Sequence, residues 1–292
     1  MLFSIILVNF NGEKFLKNCI ESFFENSFDD FELFVVDNNS SDSSRKVINF
    51  LSQKYPFKKI FNRENLGFGK TINKIYPFLR GKIILWGNVD IYLSDNFFTN
   101  LKKYISEFPN VCGFAPLLLN AYNPDYIDST GIIYEYVSLR PFDRGQGKKI
   151  SDFKMINKKI LGCTGALSIY RKKCLDELIK KDGYLFDEKI NLYYEDVDLA
   201  FRLYNYGYKT IFCRDLIAFH FRKQSYRQDN LIEIQSFFNR WYVLRKNLKF
   251  CDFFKGFPLN ICWEFGRIIK ISLKNPSLLY NILSKLVKKN KQ

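Results

Sequence analysis

Residues 33–42, LFVVDNNSSD, decide the fold class. Four apolar residues in a row predict a buried strand, and the polar run after them supplies Ser and Asp side chains of the kind that cap helices. Val47, Ile48 and Leu51 then follow at helical spacing. A buried strand that leads directly into a helix is the repeating unit of a parallel sheet covered by helices. We therefore predict an α/β fold.

The same unit is repeated through the first half of the chain. Strands are predicted at residues 5–8, near Ile60 and at residues 83–86, and each is followed or preceded by a segment with helical periodicity. Ligands of open α/β sheets bind beyond the carboxyl ends of the strands. The polar residues at or near these ends are Asn9, Asp37, Asn65 and Asp90.

The second half of the chain is more irregular. Its pattern predicts a strand at residues 162–170, a helix at 172–181 and a helix at 195–206 with an acidic start. Residues 208–213 are predicted as a last strand, with His220 after it.

The chain has 292 residues and a net charge of +15. Residues 231–292 contain 12 Lys or Arg and three acidic residues, and so contribute +9 of that charge. We predict a larger domain at 1–230, followed by a basic amphipathic helical segment at 231–292. Seven scattered cysteines favour reduced thiols and a cytoplasmic protein.

The basic segment has two interpretations. Charged residues interrupt its apolar stretches, so a transmembrane helix is not predicted. Leu279, Leu283 and Leu286 belong to an apolar helix face with Lys285 and Lys288 beside it. That face either packs on the domain at 1–230 or lies on an anionic membrane surface.

Several common nucleotide-dependent chemistries lack their motifs. The turn after the first strand, Asn9-Phe10-Asn11-Gly12, is not a GxGxxG, and the chain contains no GxxxxGK[ST] loop. A sugar nucleotidyltransferase would need a glycine-rich basic loop at this same turn. A nucleic-acid-binding module is the other alternative, but the basic excess lies mainly in the tail, and the carboxylates at strand ends would repel phosphates. We therefore expect no nucleic-acid partner.

Each candidate side chain also has a structural interpretation. Asp37 and Asp90 at strand ends are typical of turns as well as of ligand sites. The carboxylates of Glu195, Asp196 and Asp198 suit a helix N-terminus, where they interact favourably with the dipole, and equally suit general base catalysis. His220, the single histidine, is more often structural than a metal ligand when it is considered alone.

Several short motifs stand in a fixed order along about residues 3–225. They are Asn9-Phe10-Asn11-Gly12, Val35-Val36-Asp37-Asn38-Asn39-Ser40-Ser41-Asp42, Asn65-Leu66-Gly67-Phe68 with Asn73, Asn88-Val89-Asp90, Gly165-Ala166, and Tyr194-Glu195-Asp196-Val197-Asp198-Leu199 with Arg202. The ordered set resembles family 2 glycosyltransferases of the GT-A fold, and among them the rhamnosyltransferase-like enzymes. The set is far more specific than any single motif.

The resemblance implies an inverting glycosyltransferase that moves a sugar, with rhamnose as the candidate, from a nucleotide diphosphate donor to a glycan or lipid-linked acceptor. It implies a role in cell-surface polysaccharide or glycolipid synthesis, in the cytoplasm or on the inner face of the membrane. Its mostly parallel sheet would be flanked by helices. The domain at 1–230 would be catalytic, with a nucleotide-binding half at 1–110 and an acceptor-binding half at 111–230.

The resemblance also assigns roles to residues. Asp196 is the general base, and Asp90 and His220 hold Mg²⁺ or Mn²⁺. Asn88 departs from the pattern, because many relatives carry an acidic residue there. The implied donor-binding residues are Asn9, Asp37, Asn65, Gly67, Asn73 and Asn88, with Asp37 at the base. The implied acceptor-binding residues are Gly165, Ala166, Glu195 and Asp198.

Overall fold

The computed structural model describes residues 1–26, 30–135, 139–154, 160–190, 192–222 and 230–249, with side chains of the last range described from residue 235. The strands of this part are β1 (Phe3–Asn9), β2 (Phe31–Asp37), β3 (Lys58–Phe61), β4 (Ile83–Asn88), β5 (Ile91–Leu93), β6 (Gly113–Asn120), β7 (Ile127–Ser129), β8 (Ile132–Glu135), β9 (Arg140–Asp143), β10 (Leu167–Arg171) and β11 (Thr210–His220). The α-helices of this part are α1 (Glu13–Glu25), α2 (Ser44–Lys54), α3 (Phe68–Ile75), α4 (Phe97–Glu107), α5 (Lys172–Asp182), α6 (Glu195–Asn205) and α7 (Asn230–Asn247), and Tyr76–Phe78 form a 3₁₀ turn.

The main sheet in the described residues has the order β3-β2-β1-β4-β10-β6-β11-β5, and β7 pairs with β6. The strands β3, β2, β1 and β4 are parallel neighbours. This half confirms the predicted α/β fold of a sheet flanked by helices. In the second half β10 runs antiparallel to β4 and β6, whereas β11 runs parallel to β6 and antiparallel to β5.

The last strand differs from its prediction. β11 does not end at Cys213 but continues to His220, with a change of register between Cys213 and Ile217. The prediction that His220 follows the strand is therefore wrong, because the irregularity at residues 213–217 breaks the apolar pattern without ending the strand. His220 pairs with Asn120 of β6 on one side and with Ile91 of β5 on the other.

The core lies on both faces of the sheet. β1 is buried along its whole length. Its Ile5 and Leu7 lie in the core on the face covered by α1, α2 and α4, whereas Ile6 and Val8 lie in the core covered by α3, α5 and α6. Successive side chains of a strand point to opposite faces, so a continuous apolar run predicts a strand covered on both sides.

The chain divides into two units. The first comprises Met1–Ile133 and Phe142–Lys223, and the second comprises Tyr134–Pro141 and Gln224–Gln292. All the predicted site residues belong to the first unit. The predicted apolar face at residues 278–287 lies outside the described residues, and the domain boundary at residue 230 stays a prediction. In the part that the structure describes, no helix is long and apolar enough to cross a membrane, and Cys19, Cys112, Cys163, Cys174 and Cys213 are free thiols.

Candidate active site

The carboxyl ends of three parallel strands meet at one edge of the sheet. The strand register aligns Asn9 with Asp37 and places Asn88 beside Val8. Asn9 and Asp37 are fully buried, and Asn88 is half-buried. The buried Oδ1 of Asn9 has no hydrogen-bond partner among the described residues. Three of the predicted donor-binding residues therefore lie together, at the edge where ligands of such sheets bind.

Asp37 accepts four hydrogen bonds that hold the loop after β2. Its Oδ1 accepts hydrogen bonds from Asn9 Nδ2 at 2.8 Å and from Ser40 Oγ at 2.5 Å. Its Oδ2 accepts from the Ser40 backbone N–H at 3.1 Å and from Arg45 Nε at 3.0 Å. A carboxylate has about four lone-pair sites, and these donors use them all. A donor base that contacted Asp37 would compete with Ser40 and Arg45, two residues that the sequence analysis does not single out.

Asn38 organises a second polar group that the sequence analysis also does not single out. Its Oδ1 accepts from Asn62 Nδ2 at 2.7 Å and from Thr71 Oγ1 at 2.8 Å, and its Nδ2 donates to the Gly67 carbonyl at 3.2 Å. Gly67 has a φ of 77°, which glycine adopts without a steric penalty. These bonds tie the end of β2 to the N-terminus of α3. The predicted donor residue Gly67 is thus hydrogen-bonded to Asn38, the residue that follows Asp37.

The two predicted asparagines of this region differ in their surroundings. Asn65 is exposed, and its Oδ1 accepts from the Gly67 backbone N–H at 3.0 Å. Asn73 makes a reciprocal pair with the backbone of Phe186, donating to its carbonyl at 2.9 Å and accepting from its N–H at 2.9 Å. The side chain of Asn73 therefore connects α3 to the segment before α6 in this structure.

Gly87, Asn88 and the predicted acceptor residues are in direct contact. The backbone N–H of Asn88 donates to the carbonyl of Ala166 at 3.3 Å. A Cβ at Gly87 would lie 2.5 Å from that same carbonyl oxygen, so only glycine allows this approach. The backbone N–H of the neighbouring Gly165 donates to Asp196 Oδ2 at 2.7 Å. Gly165 and Ala166 thus connect the predicted base Asp196 to the predicted donor residue Asn88 through two hydrogen bonds.

Asp196 and Glu195 are half-buried residues at the start of α6. Asp196 Oδ1 accepts from the Val197 backbone N–H at 2.8 Å. Glu195 Oε2 is buried and has no hydrogen-bond partner among the described residues. Burial raises the pKa of both carboxyl groups above their usual range, and the charge of Asp196 raises that of Glu195 further. Asp143 adds to the upward shift of the pKa of Asp196, while the Gly165 N–H opposes it. A carboxylate with a raised pKa is a stronger base.

Asp198 has a different environment from its two acidic neighbours. It is fully buried and accepts from Arg202 Nε at 2.9 Å. Arg202 also donates to Asp182 at 3.0 Å and to the carbonyl of Leu185. Asp198 therefore lies inside the fold, where it holds the arginine that binds the segment before α6.

Asp90 and His220 face each other. His220 Nε2 lies 3.5 Å from Asp90 Oδ1, and the backbone N–H of Phe221 donates to the Asp90 carbonyl at 2.8 Å. Asp90 Oδ1 is buried and makes no hydrogen bond to any described residue. An unpartnered carboxylate oxygen beside an imidazole nitrogen is a donor set that fits a divalent cation. Among the described residues, no three His, Cys, Asp or Glu side chains form a group that could hold a metal ion.

His220 is also held from its other ring nitrogen. Its Nδ1 lies 2.7 Å from Asp128 Oδ2. Arg222 donates to Asp128 Oδ1 at 2.7 Å and to Asp143 Oδ2 at 2.9 Å, so its charge is neutralised by carboxylates.

Burial lowers the pKa of His220, but Asp128 and Asp90 outweigh burial and raise it to about 9. Burial raises the pKa of Asp128, yet His220 and Arg222 hold it below its usual value. Asp128 lies 92 residues from His220, so no local pattern could identify it.

The arrangement therefore brings together a carboxylate with a raised pKa, a carboxylate–imidazole pair and a polar strand edge. Such a site can accept a proton from a hydroxyl and hold a charged ligand. The predicted base Asp196 and the predicted metal ligand Asp90 are linked through Gly165, Ala166 and Asn88. Both lie beyond the carboxyl end of β4.

The curated proteins that this chain resembles include glycosyltransferases. The chain is 21% identical over 231 residues to the glycosyltransferase GlyG of Streptococcus pneumoniae, covering 76% of this chain and 71% of that protein. It is 25% identical over 232 residues to the GalNAc(5)-diNAcBac-PP-undecaprenol beta-1,3-glucosyltransferase of Campylobacter jejuni, covering 77% and 69%. It spans 33%, 28% and 58% of the length of three further curated relatives.

A solved structure shares the fold. The mannosyltransferase PcManGT of Pyrobaculum calidifontis, solved with GDP-Man and Mn²⁺, matches with a TM-score of 0.60 at 14% identity, covering 99% of this chain and 75% of that one. The predicted GT-A fold is thereby confirmed. The family model of glycosyl transferase family 2 matches residues 4–179, more than half of the chain. The chain is therefore a glycosyltransferase and belongs to glycosyl transferase family 2.

Proposed function

We propose that the enzyme transfers a sugar from a nucleotide diphosphate donor to an acceptor hydroxyl with inversion at the anomeric carbon. The observation that carries this proposal is the position of Asp196. Its carboxylate is held by the Gly165 N–H at 2.7 Å, next to the strand end that bears Asn88 and Asp90. A base on one side of a donor site is the arrangement that direct displacement needs.

The donor would lie along the edge formed by β1, β2 and β4. Asn9 contributes an unpartnered Oδ1 there, and Asp37 and Asn38 fix the loop that would surround the base. The binding of GDP-Man by PcManGT and the shared fold support a nucleotide sugar as the donor. Asn65 and Gly67 would border the same pocket from the start of α3.

Asp196 would accept the proton of the acceptor hydroxyl. As that O–H bond breaks, the acceptor oxygen bonds to the anomeric carbon, and the bond from this carbon to the diphosphate oxygen breaks with its electron pair. The raised pKa of Asp196 favours this proton transfer. Gly165, Ala166 and Glu195 would shape the acceptor side of the site.

Asp90 and His220 would hold the divalent cation, Mn²⁺ or Mg²⁺. When bound, this cation would stabilise negative charge on the leaving diphosphate. His220 would bind through Nε2, which already faces Asp90. Asn88 adds a neutral amide where many relatives have a carboxylate, so Asp90 and His220 carry the protein's share of the coordination.

We further propose rhamnose as the sugar and a lipid-linked glycan as the acceptor, in cell-surface polysaccharide synthesis. The ordered motifs resemble rhamnosyltransferase-like enzymes, and the Campylobacter jejuni relative is named for an undecaprenol-linked acceptor. An acceptor of this kind places the reaction at a membrane surface. The basic residues of 231–292 would provide peripheral attachment to the cytoplasmic face.

A thermal-shift panel of nucleotide sugars, with and without Mn²⁺, tests the donor and the cation together. A ligand that binds only the native state raises the Tm, by an amount that grows with its concentration relative to Kd. We expect one nucleotide sugar to stabilise the protein, and Mn²⁺ to increase that effect. Stabilisation by oligonucleotides with none by any nucleotide sugar would contradict the proposal.

A further inference from the structure

We infer that Asp128 is a positioning residue for His220, which fixes the imidazole ring so that Nδ1 carries the proton and Nε2 presents its lone pair toward Asp90. The inference rests on the proposed cation site at Asp90 and His220. It assigns a role to a residue that no motif identifies.

The sheet itself brings Asp128 to His220. Asp128 lies in β7, which pairs with β6 through Leu119 and Ile127, and β6 pairs with β11 through Asn120 and His220. Asp128 is 4% exposed and His220 is 6% exposed, so the contact between them is shielded from water. A hydrogen bond of 2.7 Å in such surroundings orients an imidazole strongly.

Asp128 can act only as a hydrogen-bond acceptor in its contact with His220. Arg222, which is a donor and never an acceptor, donates to Oδ1 at 2.7 Å and to Oδ2 at 3.2 Å. Arg222 is fixed in turn by Asp143 at 2.9 Å, and Asp143 accepts from Ser129 Oγ at 2.8 Å. Since both oxygens of Asp128 accept, the shared hydrogen must come from Nδ1 of His220.

The consequence concerns the other ring nitrogen. A neutral imidazole that donates through Nδ1 has its lone pair on Nε2. Nε2 is the atom that lies 3.5 Å from the unpartnered Oδ1 of Asp90. Carboxylates that orient a ligating histidine in this way affect cation affinity by about 10- to 100-fold. If Asp128 served only to pair with Arg222, its loss would change stability without this specific effect.

The test measures Mn²⁺ binding by electron paramagnetic resonance to the full chain, in the presence of whichever of UDP or GDP raises its Tm more. We expect Asp128→Asn to weaken Mn²⁺ binding by about 10- to 100-fold. We expect His220→Ala to weaken it as well, and Asp128→Asn to add no more than about twofold in the His220→Ala background, because residues that act through one another are not additive. Asp143→Asn, which keeps the Asp128–His220 contact, is the matched control and should stay within about threefold of the wild type.

The outcomes separate the two proposals. If His220→Ala weakens Mn²⁺ binding and Asp128→Asn does not, the positioning role is wrong and the cation site stands. If the two substitutions add in the double variant, Asp128 does not act through His220, and the inference also fails. If His220→Ala binds Mn²⁺ like the wild type, the cation site and the inference fall together.

A second measurement needs no variant, and so does not depend on whether Asp128→Asn folds. His220 is the only histidine, so a long-range ¹H–¹⁵N spectrum of tag-free protein reports on it alone. The spectrum is taken at a pH high enough that the ring signals no longer change with pH, so that the ring carries a single proton. We expect a protonated Nδ1 and a bare Nε2. A protonated Nε2 with a bare Nδ1 would overturn the inference.

Discussion

The carboxylate of Asp196 accepts a 2.7 Å hydrogen bond from the backbone N–H of Gly165. Gly165 precedes Ala166, whose carbonyl accepts from the N–H of Asn88 at 3.3 Å. Two consecutive residues therefore join the first turn of α6 to the end of β4. The proposed base is positioned by backbone, so its place relative to the donor edge does not depend on other flexible side chains.

Replacement of Asp196 by asparagine should abolish most of the activity. The variant keeps a side-chain oxygen that can accept from Gly165 but cannot take a proton. We expect the transfer rate to fall by about 10²- to 10⁴-fold, with nucleotide-sugar binding retained. Sugar transfer and donor thermal shift measure the two effects. Asp152→Asn, at an exposed carboxylate, is the control, and near-normal transfer by Asp196→Asn would show that another group is the base.

The transfer rate should rise with pH across the acid range. Asp196 acts as a base only when deprotonated, and burial raises its pKa above the usual carboxyl value of 3.8. Activity is therefore lost as the pH falls through this raised pKa. Asp143 contributes to the increase, so Asp143→Asn should move the acid limb of the rate profile to lower pH. An acid limb that stays in place, in a variant with normal Tm, would argue against Asp196 as the titrating group.

Glu195→Gln should stabilise the protein, and more so at higher pH. Burial and Asp196 raise the pKa of Glu195 above its unfolded value of 4.5. The folded state therefore binds the proton more tightly than the unfolded state, and wild-type stability decreases as the pH rises from about 4.5 through the raised value. Glutamine removes this decrease. The gain in Tm should grow from pH 5 to pH 8, a trend that the exposed Glu107→Gln should lack.

Asn73→Ala should destabilise the protein. The substitution leaves the N–H and the carbonyl of Phe186 unpaired, and Phe186 is buried. An unpaired buried polar group costs about 1–3 kcal/mol, and each kcal/mol lowers the Tm of a chain of this size by roughly 2–4 °C. The exposed Asn110→Ala is the matched control. Equal Tm values for the two variants would mean that the Asn73–Phe186 pair contributes little.

The basic segment is testable by charge reversal. If residues 231–292 bind an anionic surface, Lys285→Glu, Lys288→Glu and Lys289→Glu together should reduce sedimentation with anionic liposomes. Each surface lysine contributes about 1 kcal/mol, so the combined loss should exceed about 100-fold. Reversal of the exposed Lys46, Lys102 and Lys103 gives the same change in net charge elsewhere. An equal loss in both triple variants would indicate a net-charge effect rather than a binding segment.

The first half of the fold can be predicted from the sequence because its periodicity is local. β1 and β2 are apolar runs, and α1 repeats its apolar residues at helical spacing. β6 is not among the predicted strands, because Pro116, which cannot donate a hydrogen bond to a neighbouring strand, stands within its apolar run. β11 was truncated in the prediction because Arg214 and Asp215 interrupt its apolar pattern, although the strand continues.

The candidate site, too, can be predicted from the sequence only in part. Asn9, Asp37 and Asp90 can be proposed from sequence, because Asn9 and Asp37 end strands with a clear pattern and Asp90 stands in the turn after another. The partners of these residues cannot, because the sheet brings them from far along the chain. Asp128 meets His220 across 92 residues, and Phe186 meets Asn73 across 113 residues. Such pairs depend on how strands and helices pack in three dimensions, which local patterns do not contain.

The place of His220 at the end of β11 has a thermodynamic consequence. Its backbone is fixed between β6 and β5, and its ring is fixed by Asp128. The entropy of ordering this side chain is therefore lost when the chain folds, and little remains to be lost when a ligand arrives. The imidazole of His220 is therefore already ordered before any ligand binds.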